Sequence, residues 1–484
     1  MSFINRAFAA RVAGLFWARV VGALIVVVSA PILTRIYTPG DYGEWVVWFS
    51  FSFVFSSISS LGYAQSIVLP KAHRSGAILL LLSLIICVGV GGLAGMLHWL
   101  APTFLLNRIG VPDTPFWGAG LAGMVSLIGV SECLGAWCIR RERFLGFAVM
   151  QGVTAAGIPL AQIACAYTIE IPTRALITGA LLGQGGGAMG LALYILYGKY
   201  RPSWRQASLY KRLWVLAKRY NAYPFFIVPY KLVATLRERL IYFLLGMVNS
   251  SAAGFYGIAA RMVNVPNNLV ASSLKPVFYQ IAATRSLDQL ESEVLGLLKA
   301  AVRLVIPVWA LFAISSQSLF SIVFGEQWRT AGLYAAILSF AAIPHILGNW
   351  MDRIFDVTGS QKLVFHLESL FSVLTMLVVA ITIMLTDKLI YVVCAQATIF
   401  SVYCFVYLYK IFVVANYKIQ GFFTILRNVL VGAGVWFTVI FGLSELLGFP
   451  GAILIGSAAV AISTIYVLRT EYSKFQRARL NGAQ

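Results

Sequence analysis

Four polar side chains recur along one face of an otherwise apolar stretch at residues 255–280. Arg261, Asn264, Asn268 and Lys275 fall within about 60° of arc on an α-helix that turns by ~100° per residue. Guanidinium and ammonium groups bind phosphate oxygens, and side-chain amides hydrogen-bond to hydroxyl groups. Polar groups are costly in lipid. The spacing therefore predicts the wall of a water-filled cavity for an anionic ligand, or, as the alternative, a bundle helix with polar packing partners.

Further charged side chains stand inside other apolar stretches. Arg237, Glu238 and Arg239 are consecutive within 223–248, and Arg19 stands alone in the first apolar stretch. Taken together, the apolar stretches contain seven basic and five acidic residues. This balance indicates a cationic cavity for an anionic substrate, with Arg19, Arg237 and Arg239 as further ligands. Glu238 is a candidate for carrying a coupling ion.

A third polar group lies in the stretch 333–357. His345, Asn349, Asp352 and Asp356 share an arc of a continuous helix, and Arg353 lies beside them. Two carboxylates with a histidine could carry H⁺ or Na⁺ and so couple transport to an ion gradient. The alternative is that Arg353 only neutralises its acidic neighbours.

The elements that position these residues follow from composition. Hydrophobic residues make up 60% of the 484 residues and charged residues only 11%, against ~25% charged in a soluble chain. This excludes a large soluble domain and predicts an all-α polytopic membrane protein. At ~20 residues per span, fourteen spans are predicted. They cover residues 12–33, 45–69, 77–100, 116–138, 147–169, 175–197, 223–248, 255–280, 300–324, 333–357, 363–385, 389–415, 424–447 and 451–468.

No catalytic residues, cofactor or metal site is predicted. The four histidines are scattered, and the six cysteines all lie in apolar stretches without the spacing of a metal site. The sequence contains no nucleotide-binding P-loop. The expected energy source for transport is therefore an ion gradient or a partner protein.

The basic residues predict the orientation. The loops on the side of the two termini carry 25 Lys and Arg residues, whereas the opposite loops carry five. By the positive-inside rule, both termini are predicted to be cytoplasmic. The net charge of +20 thus has an explanation in the membrane, and no nucleic-acid partner is expected.

The largest hydrophilic segment, residues 198–222, contains seven basic residues and no acidic one. Its spacing predicts an amphipathic helix that lies on the anionic cytoplasmic leaflet. The predicted apolar face consists of Tyr210, Leu213, Trp214 and Ala217, opposite Lys211, Arg212, Lys218 and Arg219. Residues 285–299 show a weaker version of the same pattern.

Short matches at an offset of 213 or 214 residues indicate an internal repeat. The segment 38–43, which ends in Gly40-Asp41-Tyr42-Gly43, resembles 252–257, which ends in Gly254-Phe255-Tyr256-Gly257. Parallel repeats of this kind are typical of transporters. The predicted organisation is a six-helix bundle at 1–197, the linker 198–222, a second six-helix bundle at 223–415, and two additional helices with a basic tail at 416–484.

The same segments carry a resemblance to a known family. Arg35 to Gly43, followed by Leu61-Gly62, resembles the opening of bacterial polysaccharide-biosynthesis flippases of the Wzx type. Gly254 to Ala259, Phe324 to Ala331 and Thr358 to Lys362 are similar to later motifs of these proteins. They belong to the multidrug/oligosaccharidyl-lipid/polysaccharide exporter superfamily.

The resemblance implies two pseudo-symmetric six-helix bundles around a central cavity, and transport by alternating access across the bacterial inner membrane. The implied substrate is a polyprenyl-pyrophosphate-linked oligosaccharide, an O-antigen, capsule or exopolysaccharide unit, whose diphosphate is received by Arg and Lys. A polysaccharide polymerase machinery is an implied partner. Arg19 matches the position of a first-helix arginine in lipid-linked peptidoglycan-precursor flippases of the superfamily.

Two other functions stay open on the sequence. A cation-coupled multidrug extruder has the same fold, although the excess of basic residues argues against it. A membrane polysaccharide polymerase or ligase needs a sizeable outer loop with Arg and His, whereas the longest predicted outer loop, 101–115, has one Arg and no His.

Overall fold

The protein is all-helical in the part of the chain that its computed structural model describes. That part consists of residues 22, 24–70, 72–101, 115–141, 143–197, 209–284, 286–386 and 388–481. Every regular element among these residues is a helix, which confirms the predicted fold class. Nine helical stretches among the described residues are long and apolar enough to cross a membrane, and two shorter apolar stretches, Leu24–Ile36 and Ile453–Tyr466, accompany them. The predicted count of fourteen spans is not confirmed.

Five predicted spans fall outside these nine, and three of the five are polar. Residues 45–69, 223–248 and 255–280 form helices for most of their length, but their serines, charges and amides lower the hydropathy. Such helices are stable in a membrane only where neighbouring helices or water cover the polar groups. Their composition therefore marks them as helices that do not face lipid all round.

The described residues are divided into two compact units, Met1–Gly257 and Ile258–Gln484. The predicted bundle boundaries at residues 197, 223 and 415 stay a prediction. The helices of the first unit follow in chain order. They are α1 (Leu24–Ile36), α2 (Pro39–Ser57), α3 (Tyr63–Ser66), α4 (His73–Leu100), α5 (Pro115–Arg140), α6 (Phe144–Ala166), α7 (Pro172–Leu196), α8 (Leu209–Arg219) and α9 (Val228–Val248).

Helix α10 (Ser250–Thr284) begins in the first unit and continues into the second. The remaining helices belong to the second unit. They are α11 (Leu287–Phe324), α12 (Arg329–Gly348), α13 (Ile354–Val357), α14 (Gln361–Leu385), α15 (Leu389–Val414) and α16 (Ile419–Asn481).

Small residues allow the helices of the first unit to approach closely. Helix α7 packs against α6, and a Cβ atom added at Gly179 or Gly183 would lie only 2.4–2.5 Å from backbone atoms of Gln162 or Ile158. Glycine leaves room for this approach because it has no side chain. A larger residue at either position would force α6 and α7 apart.

The two matching segments of the internal repeat contact each other directly. A Cβ atom at Gly43 of α2 would lie 1.8 Å from the carbonyl oxygen of Ser250, and one at Gly254 of α10 would lie 2.1 Å from that of Pro39. The start of α2 is fixed by Thr38, whose side chain and backbone exchange hydrogen bonds with Asp41 at 3.1 and 3.3 Å in a capping box. The glycines of the motif are therefore required by a helix crossing inside the first unit.

The predicted span 45–69 is broken. Helix α2 ends at Ser57, and Leu61 (φ 46°) and Gly62 (φ 75°) adopt left-handed backbone conformations before α3 begins. Most of the serines in this predicted span are buried. Ser52 and Ser56 donate to the carbonyls of the residues four positions earlier, at 3.0 and 2.5 Å. These hydroxyl groups are satisfied within their own helix.

Two predicted segment boundaries are wrong in the second unit. Within the predicted segment 285–299, the residues from Leu287 onward form the start of the long helix α11, and Leu290 and Val294 are buried in the protein. The carboxylate of Glu291 accepts a hydrogen bond from the backbone of Lys418 at 2.9 Å. Next to Lys418, burial and the nearby carboxylate of Glu291 raise the pKa of Tyr417 to about 12. The segment thus packs on the protein and does not lie free on the leaflet.

The predicted break between the last two spans is also absent. Helix α16 runs without interruption from Ile419 to Asn481 and passes through Pro450. Proline ends helices in water far more reliably than in membrane proteins, where neighbouring groups satisfy the freed carbonyl.

Candidate functional site

Asn264 and Asn268 of α10 are predicted to line a cavity, which stays a prediction. Both amide side chains are exposed on the protein surface, while Arg261 and Lys275 are half-buried on the same side. The neighbouring Val263, by contrast, is buried. In an apolar part of the chain, exposed amides are stable only against water or a polar ligand.

Lys275 forms an ion pair with Asp352 in the second unit. The Nζ–Oδ2 distance is 2.8 Å, and each side chain is 28% exposed. The other carboxylate oxygen of Asp352, Oδ1, is buried without a hydrogen-bond partner among the described residues. A buried carboxylate oxygen without a hydrogen bond lowers stability. The ion pair joins Lys275, a predicted substrate ligand, to Asp352, a predicted ion-coupling residue.

A break in the predicted span 333–357 positions Asp352. Helix α12 ends at Gly348, and Asn349–Met351 form a 3₁₀ turn. The turn buries Trp350, whose ring packs edge-on against Phe278 of α10 with the centroids 5.0 Å apart. The prediction that His345, Asn349, Asp352 and Asp356 share one arc of a continuous helix is wrong beyond Gly348.

Asp356 has a different partner from Asp352. Its carboxylate lies 2.9 Å from a guanidinium nitrogen of Arg353, and these side chains are 36% and 50% exposed. This is the neutralising contact that the sequence leaves as the alternative. Nothing in the geometry assigns an ion-coupling role to Asp356, which stays a prediction.

His345 contacts a buried amide of α10. Its Nδ1 lies 3.1 Å from Nδ2 of Asn267, a side chain that is 1% exposed, and its ring packs against Phe400. Asn267 is not among the predicted site residues, because it lies about 100° round the helix from Asn268 and points away from the predicted face. The paired asparagines were the signal that could have found it, since two adjacent amides on a helix must face different environments.

In the first unit, Arg239 stacks on aromatic rings. Its guanidinium carbon lies 4.3 Å from the ring centroid of Phe53 and 5.8 Å from that of Tyr242. Its Nε is buried without a hydrogen-bond partner among the described residues. Arg237 is half-buried and Glu238 is exposed. Arg19 lies outside the described residues.

A further ion pair of the first unit was not predicted from the sequence. Nζ of Lys231 lies 2.9 Å from Oε1 of Glu132, and the side chains are 24% and 36% exposed. The sequence places Lys231 on the face of Glu238, but helical spacing shows only which residues share a face. The nearest carboxylate belongs to α5, a helix about 100 residues away in the chain.

No described group of three or more His, Cys, Asp or Glu side chains could hold a metal ion. The cysteines are free thiols, and five of the six are buried. The described polar sites consist instead of cations with one carboxylate partner each, exposed amides and one arginine on aromatic rings. Such groups can bind anions and hydroxyl-rich ligands.

A family model described as "Polysaccharide biosynthesis protein" matches residues 32–332. The chain belongs to this family. Its resemblance to polysaccharide-biosynthesis proteins is thereby confirmed. No curated protein sequence matches the chain.

Solved structures show the fold that this family member shares with transporters. The lipid II flippase MurJ in an inward closed conformation is 14% identical, with a TM-score of 0.73 over 96% of this chain and 99% of that one. An inward-facing multidrug resistance MATE family transporter of the MOP superfamily is 15% identical, with a TM-score of 0.61 over 81% and 95%. A MATE protein in complex with MaL6 is 14% identical, with a TM-score of 0.55 over 84% of this chain and 96% of that one. These similarities establish the fold.

Proposed function

We propose that this protein is a flippase that moves a polyprenyl-pyrophosphate-linked oligosaccharide across the bacterial cytoplasmic membrane by alternating access. Membership of the polysaccharide-biosynthesis family supports the glycan. The fold shared with a lipid II flippase supports transport of a lipid-linked molecule without chemical conversion. The glycan is an O-antigen, capsule or exopolysaccharide unit, and a polysaccharide polymerase consumes it on the other side.

The polar face of α10 is the observation that carries the proposal. Exposed Asn264 and Asn268 offer amides that hydrogen-bond to sugar hydroxyls, and half-buried Arg261 offers a planar guanidinium that suits a diphosphate. Two charge-assisted hydrogen bonds would contribute about 3–6 kcal/mol at ~1.5–3 kcal/mol each. That is sufficient to select a diphosphate lipid over neutral lipids.

The Lys275–Asp352 pair supplies a way to release the substrate. A diphosphate that binds Lys275 displaces Asp352, which then takes up H⁺ or Na⁺ in place of its lost partner. Loss of that ion restores the pair and expels the anion. The proposed coupling residue is Asp352, because it is paired with the predicted substrate ligand Lys275.

The test is glycan export in a bacterial strain that lacks its own flippase and makes a matching lipid-linked glycan. We expect Arg261→Ala and Asn264→Leu each to reduce surface glycan about tenfold, because one contact of ~1.4 kcal/mol corresponds to a factor of ten. Arg261→Lys should retain part of the activity, because the charge survives and only the bidentate geometry is lost.

The control is Lys362→Ala, an exposed cation at the start of α14. All values are normalised to the amount of inserted protein. Full glycan export by both Arg261→Ala and Asn264→Leu would contradict the proposal. The drug-extruder alternative would then be tested with the same strains by drug resistance.

A further inference from the structure

Helix α8 has one wide apolar face, and only part of it is covered by the protein. Leu216 is buried, and Leu209, Leu213 and Ala217 pack with it against the apolar core of the first unit. The sequence predicts a single apolar face that includes Leu213 and Ala217. The structure assigns these two residues to the protein side.

The aromatic residues of the predicted face lie on the uncovered side. Tyr210 is 88% exposed and Trp214 is 74% exposed. At ~100° per residue, Tyr210, Trp214, Lys218 and Lys211 all lie within about 100° of arc on the helix. Both lysines are exposed. Arg212 and Arg219 extend the basic surface further round α8, and the segment 198–222 contains no acidic residue.

The position of α8 brings this surface next to the bilayer. The helix packs against α4, an apolar helix long enough to span a membrane. The hydroxyl group of Tyr63 donates a hydrogen bond to the backbone carbonyl of Ala217 at 3.0 Å. The cluster that contains Leu216 also contains residues from the start of α4 and the end of α5, so α8 lies at one end of these two membrane-long helices.

We infer that the uncovered side of α8 is a binding surface for anionic phospholipid headgroups. Tyr210 and Trp214 lie at the boundary between headgroups and acyl chains, where such amphipathic rings are favoured. Lys211 and Lys218 bind the lipid phosphates beside them. An acidic protein surface would bind the cations but would leave the aromatic rings without an apolar partner. The adjacent aromatic rings, and the membrane beside the helix, favour lipid.

The test uses the purified protein in nanodiscs with photoactivatable phosphatidylglycerol or phosphatidylcholine. Each basic side chain near an anionic surface contributes ~1 kcal/mol, which is about fivefold in binding. We expect crosslinks to the peptide containing α8 to be at least about fivefold more frequent with phosphatidylglycerol. High salt should remove this preference, because it screens exposed charges.

Two sets of substitutions separate headgroup binding at α8 from general contact with the bilayer. Replacing Lys211 and Lys218 by Gln should abolish the preference for phosphatidylglycerol, whereas replacing Lys362 and Lys418 by Gln should leave it intact. Trp214→Ala should reduce crosslinking to both lipids. Thermal unfolding identifies a variant that fails to fold. Equal crosslinking of α8 by the two lipids, or none while other peptides are crosslinked, would overturn the inference.

Discussion

The crossing of α2 and α10 leads to a sharp prediction about Gly43 and Gly254. A methyl group at Gly43 would lie 1.8 Å from the carbonyl oxygen of Ser250, and one at Gly254 would lie 2.1 Å from that of Pro39. Ordinary C···O contacts are about 3.3–3.6 Å. Since both oxygens belong to the backbone, no side chain can rotate away, and the helices must separate by more than about 1 Å.

Overpacking of this kind costs about 1–3 kcal/mol. We expect Gly43→Ala and Gly254→Ala each to lower Tm, by roughly 2–4 °C for each kcal/mol lost in a unit of this size. The double variant should lose less than the sum of the two, because both methyl groups separate the same pair of helices.

The assay is thermal unfolding of the purified protein with a thiol-reactive fluorophore. Buried cysteines such as Cys87, which is fully buried, react only when the protein opens. The matched control is Gly89→Ala in α4, where an added methyl group would meet nothing within 4 Å. Equal Tm values for Gly43→Ala and Gly89→Ala would refute the reasoning.

Three further predictions concern the first unit. Lys231→Met should lower stability by about 1–3 kcal/mol, because it leaves the carboxylate of Glu132 without its partner; the double variant with Glu132→Leu should recover most of the loss, measured as a double-mutant cycle. Gly62→Ala should cost about 1–2 kcal/mol, because φ is 75° and the methyl group would lie 3.3 Å from Cβ of Tyr223; unchanged Tm would contradict this. The guanidinium of Arg140 donates hydrogen bonds of 3.0–3.1 Å to three carbonyls between α3 and α4. Arg140→Gln should weaken these bonds and accelerate amide hydrogen exchange in this connection. Unaltered exchange would show that the connection is held by other contacts.

The sequence predicts the fold class well, because it depends on local pattern; the polar face of α10 as a substrate site stays a prediction. Apolar stretches of membrane length become helices, and the spacing of Asn264 and Asn268 determines that they share an exposed side. The repeated glycine motifs could also be recognised. Their contact with each other could not, because spacing in one helix does not identify the helix that packs against it.

The partners of the charged residues could not be predicted for the same reason. Lys231 shares a helical face with Glu238 but pairs with Glu132, and His345 contacts Asn267, not a carboxylate. Backbone breaks were missed where tertiary packing creates them. The 3₁₀ turn after Gly348 buries Trp350 against Phe278, and the spacing within the stretch does not identify this packing partner.

The central claim is that this protein moves a polyprenyl-pyrophosphate-linked oligosaccharide across a bilayer. The most direct measurement uses proteoliposomes that contain the purified protein and a fluorescent polyprenyl-pyrophosphate-linked sugar. A membrane-impermeant reagent removes the fluorescence of molecules in the outer leaflet. We predict that wild-type protein moves the inner pool outward, that Arg261→Ala moves it at least about tenfold more slowly, and that a zwitterionic lipid carrying the same fluorophore is not moved. Equal rates with wild-type protein and with protein-free liposomes would contradict the claim.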